Sequence, residues 1–125
     1  MRKVIPITLL VSLLASNIAC NRDVKTLIAE AKCLASGVKA TAEDIGTTAK
    51  KMNTDGIISS TDLDKVHKGY NIVLKAHNTF LDSVVSLEKL YNAGMTNLDP
   101  KEVIKNRKVM VAALMELQTL LPKGK

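Results

Sequence analysis

Two unbroken apolar stripes, each stepping by alternating threes and fours, constrain this chain more than any other feature. The first is Val24, Ile28, Ala31, Ala35, Val38, Ala42, Ile45, Ala49 and Met52, widened by Leu27 and Leu34. The second is Leu63, Val66, Tyr70, Val73, His77, Phe80, Val84, Leu87 and Tyr91, broadened by Leu74 and Leu81. Steps of three and four keep side chains on one face of an α-helix, whereas a strand needs steps of two. The spacing therefore predicts one helix from about Arg22 to Met52 and a second from about Ser60 to Tyr91. At 1.5 Å rise per residue, each of these helices would be about 45 Å long. A third, shorter helix opens at Asp99-Pro100-Lys101-Glu102. Aspartate can accept the first free N–H groups, proline loses nothing at the first helical position, and glutamate can reach back to complete a capping box. Its stripe is Val103, Met110, Leu114, Leu117 and Leu121, thickened by Ile104, Val111 and Met115, and Pro122 and Gly124 end it.

The connections, Asn53 to Ser59 and Asn92 to Leu98, are short enough to reverse the chain, and Gly94 suits a left-handed helix end. Short connections make successive helices antiparallel neighbours, so the expected fold is all-α, an up-down-up three-helix bundle with a long first hairpin and coiled-coil-like seams. A shorter third helix would leave part of the first hairpin's seam uncovered, available to a second copy of the chain or to a partner's helix. Alternatively, the long helices break at Gly37, Gly46 or Gly69 and cover themselves; each interior glycine costs about 1 kcal/mol relative to alanine.

Ahead of the bundle lies a segment of a different kind. Met1-Arg2-Lys3 is cationic, Val4 to Ala15 is apolar apart from Thr8 and Ser12, and Ser16-Asn17-Ile18-Ala19-Cys20 closes it with small and polar residues. That is the layout of a cleaved export signal. The uncharged run from Val4 to Cys20 is 17 residues, at the lower edge of what spans a bilayer, and its polar residues weaken the reading as an uncleaved anchor. The Ala19-Cys20 junction resembles a bacterial lipoprotein signal, in which a small residue precedes a cysteine that is diacylated and becomes the new N-terminus. Ile18 is tolerated in that pattern, while Asn17 stands where the family prefers leucine. The resemblance implies residues 1–19 as signal peptide, lipid attachment at Cys20, and a single helical domain over residues 20–125 behind a short tether. Asn21 after the cysteine is similar to outer-membrane sorting. The plain alternative is ordinary cleavage after Ala19, leaving Cys20 a free thiol.

Removing 19 of the 125 residues leaves 106, one small domain with a single core. Arg2 and Lys3 leave with the signal, so the formal charge falls from +6 to +4. Tyr70, Phe80 and Tyr91 are the only aromatics. Platforms for single-stranded nucleic acid need several stacking faces, so no nucleic-acid partner is expected. Lys101, Lys105 and Lys108, with Arg107 nearby and Lys123 and Lys125 beyond, give the third helix a basic side. Such a side meets anionic headgroups or, more commonly, water. Lys25, Lys32 and Lys39 repeat every seven residues beside the first seam, where their stems can cover its edge.

No catalytic constellation emerges: there is no glycine-rich phosphate loop, no His-Glu zinc motif and no nucleophile elbow. Residues 51–62 resemble an EF-hand calcium loop. Asn53, Asp55, Ser59 and Asp62 match oxygen-ligand positions, Gly56 the sharp turn and Ile58 the core aliphatic. Lys51 replaces the first acidic ligand, and Asp62 is shorter than the usual glutamate. The same residues also read as helix ends: Gly56 terminating, Ser59 capping, Asp62 completing a capping box, and Ile58 and Leu63 forming a hydrophobic staple. No metal site is therefore expected, and these four residues are its nearest candidates. His67 and His77 lie ten apart on one helix, too far to share a metal. Without a Cys-x-x-Cys-His motif no haem or other cofactor is expected. Cys33 falls opposite the first seam as a leftover thiol.

These readings describe an envelope protein that is no enzyme: membrane-tethered through lipid, facing periplasm or exterior, and acting as a structural or interaction module. Two other roles suit the same sequence, a phage-derived lysis or superinfection-exclusion protein and a binder of an ion or small ligand between helices.

Overall fold

The computed structural model describes residues 23–122. The expected signal segment over residues 1–19, Cys20 with its expected lipid attachment, and the last three residues lie outside them. Three helices follow in order: α1 (Val24–Thr54), α2 (Ser60–Asn92) and α3 (Lys101–Thr119). They form an all-helical, up-down-up bundle in which α2 packs extensively against both α1 and α3, while α1 and α3 touch less. The periodicity predicted this architecture, with boundaries within two residues for the first two helices.

Each end has a local cause. Asp23 Oδ1 accepts from Thr26 N at 2.8 Å and caps α1. Gly56, at φ +77°, turns the chain out of α1, and Ile57 N donates back to Met52 O at 2.8 Å. Ser59 Oγ accepts from Asp62 N at 3.1 Å to start α2, with Ile58 buried and Leu63 packed against the core. Gly94, at φ +85°, repeats the glycine exit at the end of α2, and Met95 N donates to Leu90 O at 3.2 Å. Both exits use the left-handed conformation that only glycine adopts without strain. Asp99 Oδ1 accepts from Lys101 N at 3.0 Å at the start of α3.

The interior is the two stripes closed on each other and on α3. Ala31, Val38, Ala42 and Ala49 of α1, Val66, Val73, Phe80 and Val84 of α2, and Met110, Leu114 and Leu117 of α3 are wholly inaccessible. The alanines on α1 let its neighbours approach closely. Gly37, Gly46 and Gly69 do not break their helices. At Gly69 a Cβ would stand 3.0 Å from Cδ1 of both Leu117 and Leu120, so α3 crosses α2 closely there and an added methyl would have to shift two leucine tips. Some stripe residues are less buried than their spacing implies. Tyr91 and Met115 are exposed, and Leu63, Tyr70 and Leu121 are half-buried.

Candidate functional site

The resemblance to a calcium loop is occupied by structural work. Asn53 Nδ2 donates to Ile58 O at 3.1 Å, tying the loop across its own turn. Asp55 Oδ2 pairs with Lys51 Nζ at 3.3 Å, and Ser59 Oγ is engaged in its cap. The lysine that replaces the first acidic ligand thus takes up one of the carboxylates. Among the described residues, no three His, Cys, Asp or Glu side chains come together as a metal-holding group.

The two histidines have different surroundings. His77 is buried on the α2 seam, and its Nδ1 lies 3.2 Å from Asn78 Oδ1, the geometry of an imidazole N–H donating to an amide oxygen. His67 sits on the flank of α2 that faces α1. Its Nε2 is buried without a hydrogen-bond partner. It lines an open groove of about 400 Å³ with Glu43, Gly46, Thr47, Lys50 and Tyr70. Gly46 keeps the groove's α1 wall low, since a Cβ there would meet nothing within 4 Å. Cys33 is an exposed free thiol on α1. Lys32, from the seven-residue lysine repeat, reaches Glu88 of α2 at 2.8 Å with both side chains partly in water.

The largest departure from the sequence expectation is Arg107. Grouped by charge with Lys101, Lys105 and Lys108, it belongs instead to the core, where it is 0% exposed and is the largest fully buried side chain. Its three guanidinium nitrogens have no hydrogen-bond partner. Position 107 falls between Val103 and Met110 in the same four-three rhythm as the α3 stripe, and that spacing is the signal that charge obscured. Burial pushes the guanidinium below its ordinary pKa, and the negative charge of Glu30 on α1 acts in the opposite direction. On the same interior, Thr41 of α1 is buried with its hydroxyl oxygen unpartnered. The interior of this bundle thus includes a polar side chain on each helix, Thr41 on α1, His77 on α2 and Arg107 on α3.

No described helix is long and apolar enough to cross a membrane. No family model, curated protein or solved structure matches the chain. By its fold the chain is a small three-helix bundle.

Proposed function

We propose that this protein is an exported helical bundle, tethered to a membrane by lipid on Cys20 and serving as a structural or interaction module of the cell envelope. The observation that carries the reading is the junction of leader and bundle. A cationic start, an apolar run and Ala19-Cys20 stand immediately ahead of a helix with its own start signal. Asp23 caps α1 from within the bundle, so the first helix does not rely on any residue of the leader for its first hydrogen bond. Cleavage before Cys20 would leave only Asn21 and Arg22 between the acylated cysteine and that cap.

Mass spectrometry of the protein from the membrane fraction tests this. A diacylglyceryl addition on Cys20 that disappears in Cys20→Ala is the expected result. An N-terminus at Cys20 without lipid replaces the tether with a secreted bundle, and a chain that retains Met1 refutes the proposal.

A further inference from the structure

The turn between α2 and α3 differs in chemistry from the rest of the surface. From Leu90 to Leu98 the chain runs nine residues without an Asp, Glu, Lys or Arg, the longest such run among the described residues. Leu90, Tyr91 and Met95 are exposed there. The glycine exit at Gly94 sets how they are displayed: Met95 N donates to Leu90 O at 3.2 Å, folding the chain back on the last turn of α2. Leu98 packs against the core and ties the far side of the turn to the bundle. Three large apolar side chains are thus held in water on a turn with no charge of its own. The α1–α2 loop at the opposite end is built otherwise. Ile57 is exposed there, but Lys51, Asp55 and Asp62 flank it in sequence.

The uncharged turn lies beside the start of α1. Tyr91 and Asn92 share a groove with Lys25, Ile28 and Ala29 from the first two turns of that helix. The lipid tether proposed above, on which this inference rests, makes that position matter. Extended chain reaches at most about 3.3–3.6 Å per residue, so the three steps from Cys20 to Asp23 span no more than roughly 10 Å. A headgroup layer is about 5–7 Å deep. The start of α1 is therefore held against the lipid surface, and the turn is held there with it. The α1–α2 loop is the far end, about 45 Å away along the 31 residues of α1.

The placement of the side chains selects an approach. Leu90 lines the groove between α2 and α3, whereas Tyr91 lines the one between α2 and α1. A flat surface meets both, and Met95 beyond them, only end-on. The carboxylates of Asp23 and Asp99 accept helix-start N–H groups, and Glu88 pairs with Lys32. Lys25, Lys89 and Lys101 are exposed around the same end, where lipid phosphates can meet them. Glu102 is exposed in the first turn of α3 and stays hydrated, which stops the end among the headgroups, short of hydrocarbon. Tyrosine favours that layer, since its ring is apolar and its hydroxyl wet.

We propose that the α2–α3 turn is a membrane-contact surface. Leu90, Tyr91 and Met95 sit in the headgroup layer of the phospholipid that anchors Cys20, and the bundle stands end-on with its α1–α2 loop farthest from the lipid.

Site-specific fluorescence quenching tests this. The lipid-bearing chain, purified from membranes with its mass confirmed, is reconstituted in nanodiscs of phosphatidylethanolamine, phosphatidylglycerol and a spin-labelled phospholipid. Acylation occupies the Cys20 sulfur and Cys33→Ser removes the other thiol, so Met95→Cys, Ile57→Cys or Lys108→Cys takes a single fluorophore. The label at position 95 is quenched several-fold more than those at 57 and 108. Leu90→Glu with Tyr91→Glu, both at exposed positions, drives the turn out of the lipid and lowers quenching at 95 several-fold. Circular dichroism confirms that each variant remains helical. With lipid on Cys20, a label at 95 quenched no more than one at 57 overturns the inference and leaves the tether standing. Stronger quenching at 108 than at 95 lays the bundle on the basic side of α3 and overturns it too. So does quenching at 95 that the glutamate pair leaves unchanged, since the tether alone would then hold this end down. A chain without lipid on Cys20 refutes the tether itself, and the orientation falls with it.

Discussion

Replacing Arg107 with methionine tests the physics of the core most directly. The guanidinium is wholly buried, and none of its nitrogens meets an acceptor. A buried polar group left without a hydrogen bond costs about 1–3 kcal/mol. The attraction of Glu30 offsets part of that. Methionine preserves much of the aliphatic stem and its packing against the α3 stripe while removing the desolvated charge. Exchange of buried ionic groups for apolar ones of similar volume has stabilised proteins by roughly 1–4 kcal/mol, and the lower half of that range fits a single guanidinium whose nitrogens meet no acceptor while Glu30 attracts it. For a bundle of this size, each kcal/mol moves the melting temperature by about 4–8 °C. Arg107→Met is therefore expected to melt higher than wild type, whereas Arg107→Ala, which also opens a cavity, melts lower. Urea unfolding followed by circular dichroism measures both. If Arg107→Met loses 1 kcal/mol or more, the guanidinium is satisfied in solution by internal water and the argument fails.

Four further outcomes follow from helix ends, interior glycines and the α1–α2 loop. Gly46→Ala, inside α1 with open space at the Cβ position, raises stability by about 1 kcal/mol, while Gly69→Ala, which meets Leu117 and Leu120, gives a smaller gain or a loss. Parallel urea titrations of the two variants show the difference. Asp23 is held below the ordinary aspartate range chiefly by the backbone N–H of Thr26, then by the Thr26 side chain and Lys25. Its folded pKa is depressed, so its contribution is present above the unfolded value and lost as pH falls through the folded one; Asp23→Ala flattens the acid limb of a melting-temperature profile below about pH 4. Ser59→Ala, removing the α2 cap, lowers stability by about 1 kcal/mol in the same urea assay. Isothermal titration of the protein with calcium gives no binding heat, because Asn53, Asp55 and Ser59 already hold the loop together.

The architecture was legible because Val, Leu, Ile and Ala recur at a helical spacing that no strand reproduces, and because Ser59 and Asp99 stand where helices need acceptors; the Asp23 cap was missed, since the first helix was expected to begin at about Arg22. Gly56 and Gly94 were legible for the same kind of reason: each marks a turn that requires positive φ. Arg107 was not, because its charge argues for the surface while its spacing argues for the core, and only packing decides between them. The exposure of Tyr91 and Met115 was hidden too, because periodicity gives the direction a residue faces but not whether a neighbouring side chain lies over it. Ile72 and Val109 lie on no stripe, and both are exposed. His67 was legible as a helix residue, but its groove depends on Gly46 of another helix lying opposite.

The way the helices neighbour one another also sets how quickly the chain can find its shape. Each helix packs mainly on the one adjacent in sequence, and each pair is joined by a turn that a glycine closes. Either hairpin can zip from its turn outward without first closing a long loop, so the entropic hurdle is small. Topologies dominated by such near-neighbour pairings fold within microseconds to milliseconds. Mixing from denaturant into buffer should therefore complete refolding within the dead time of a conventional stopped-flow instrument or shortly after it.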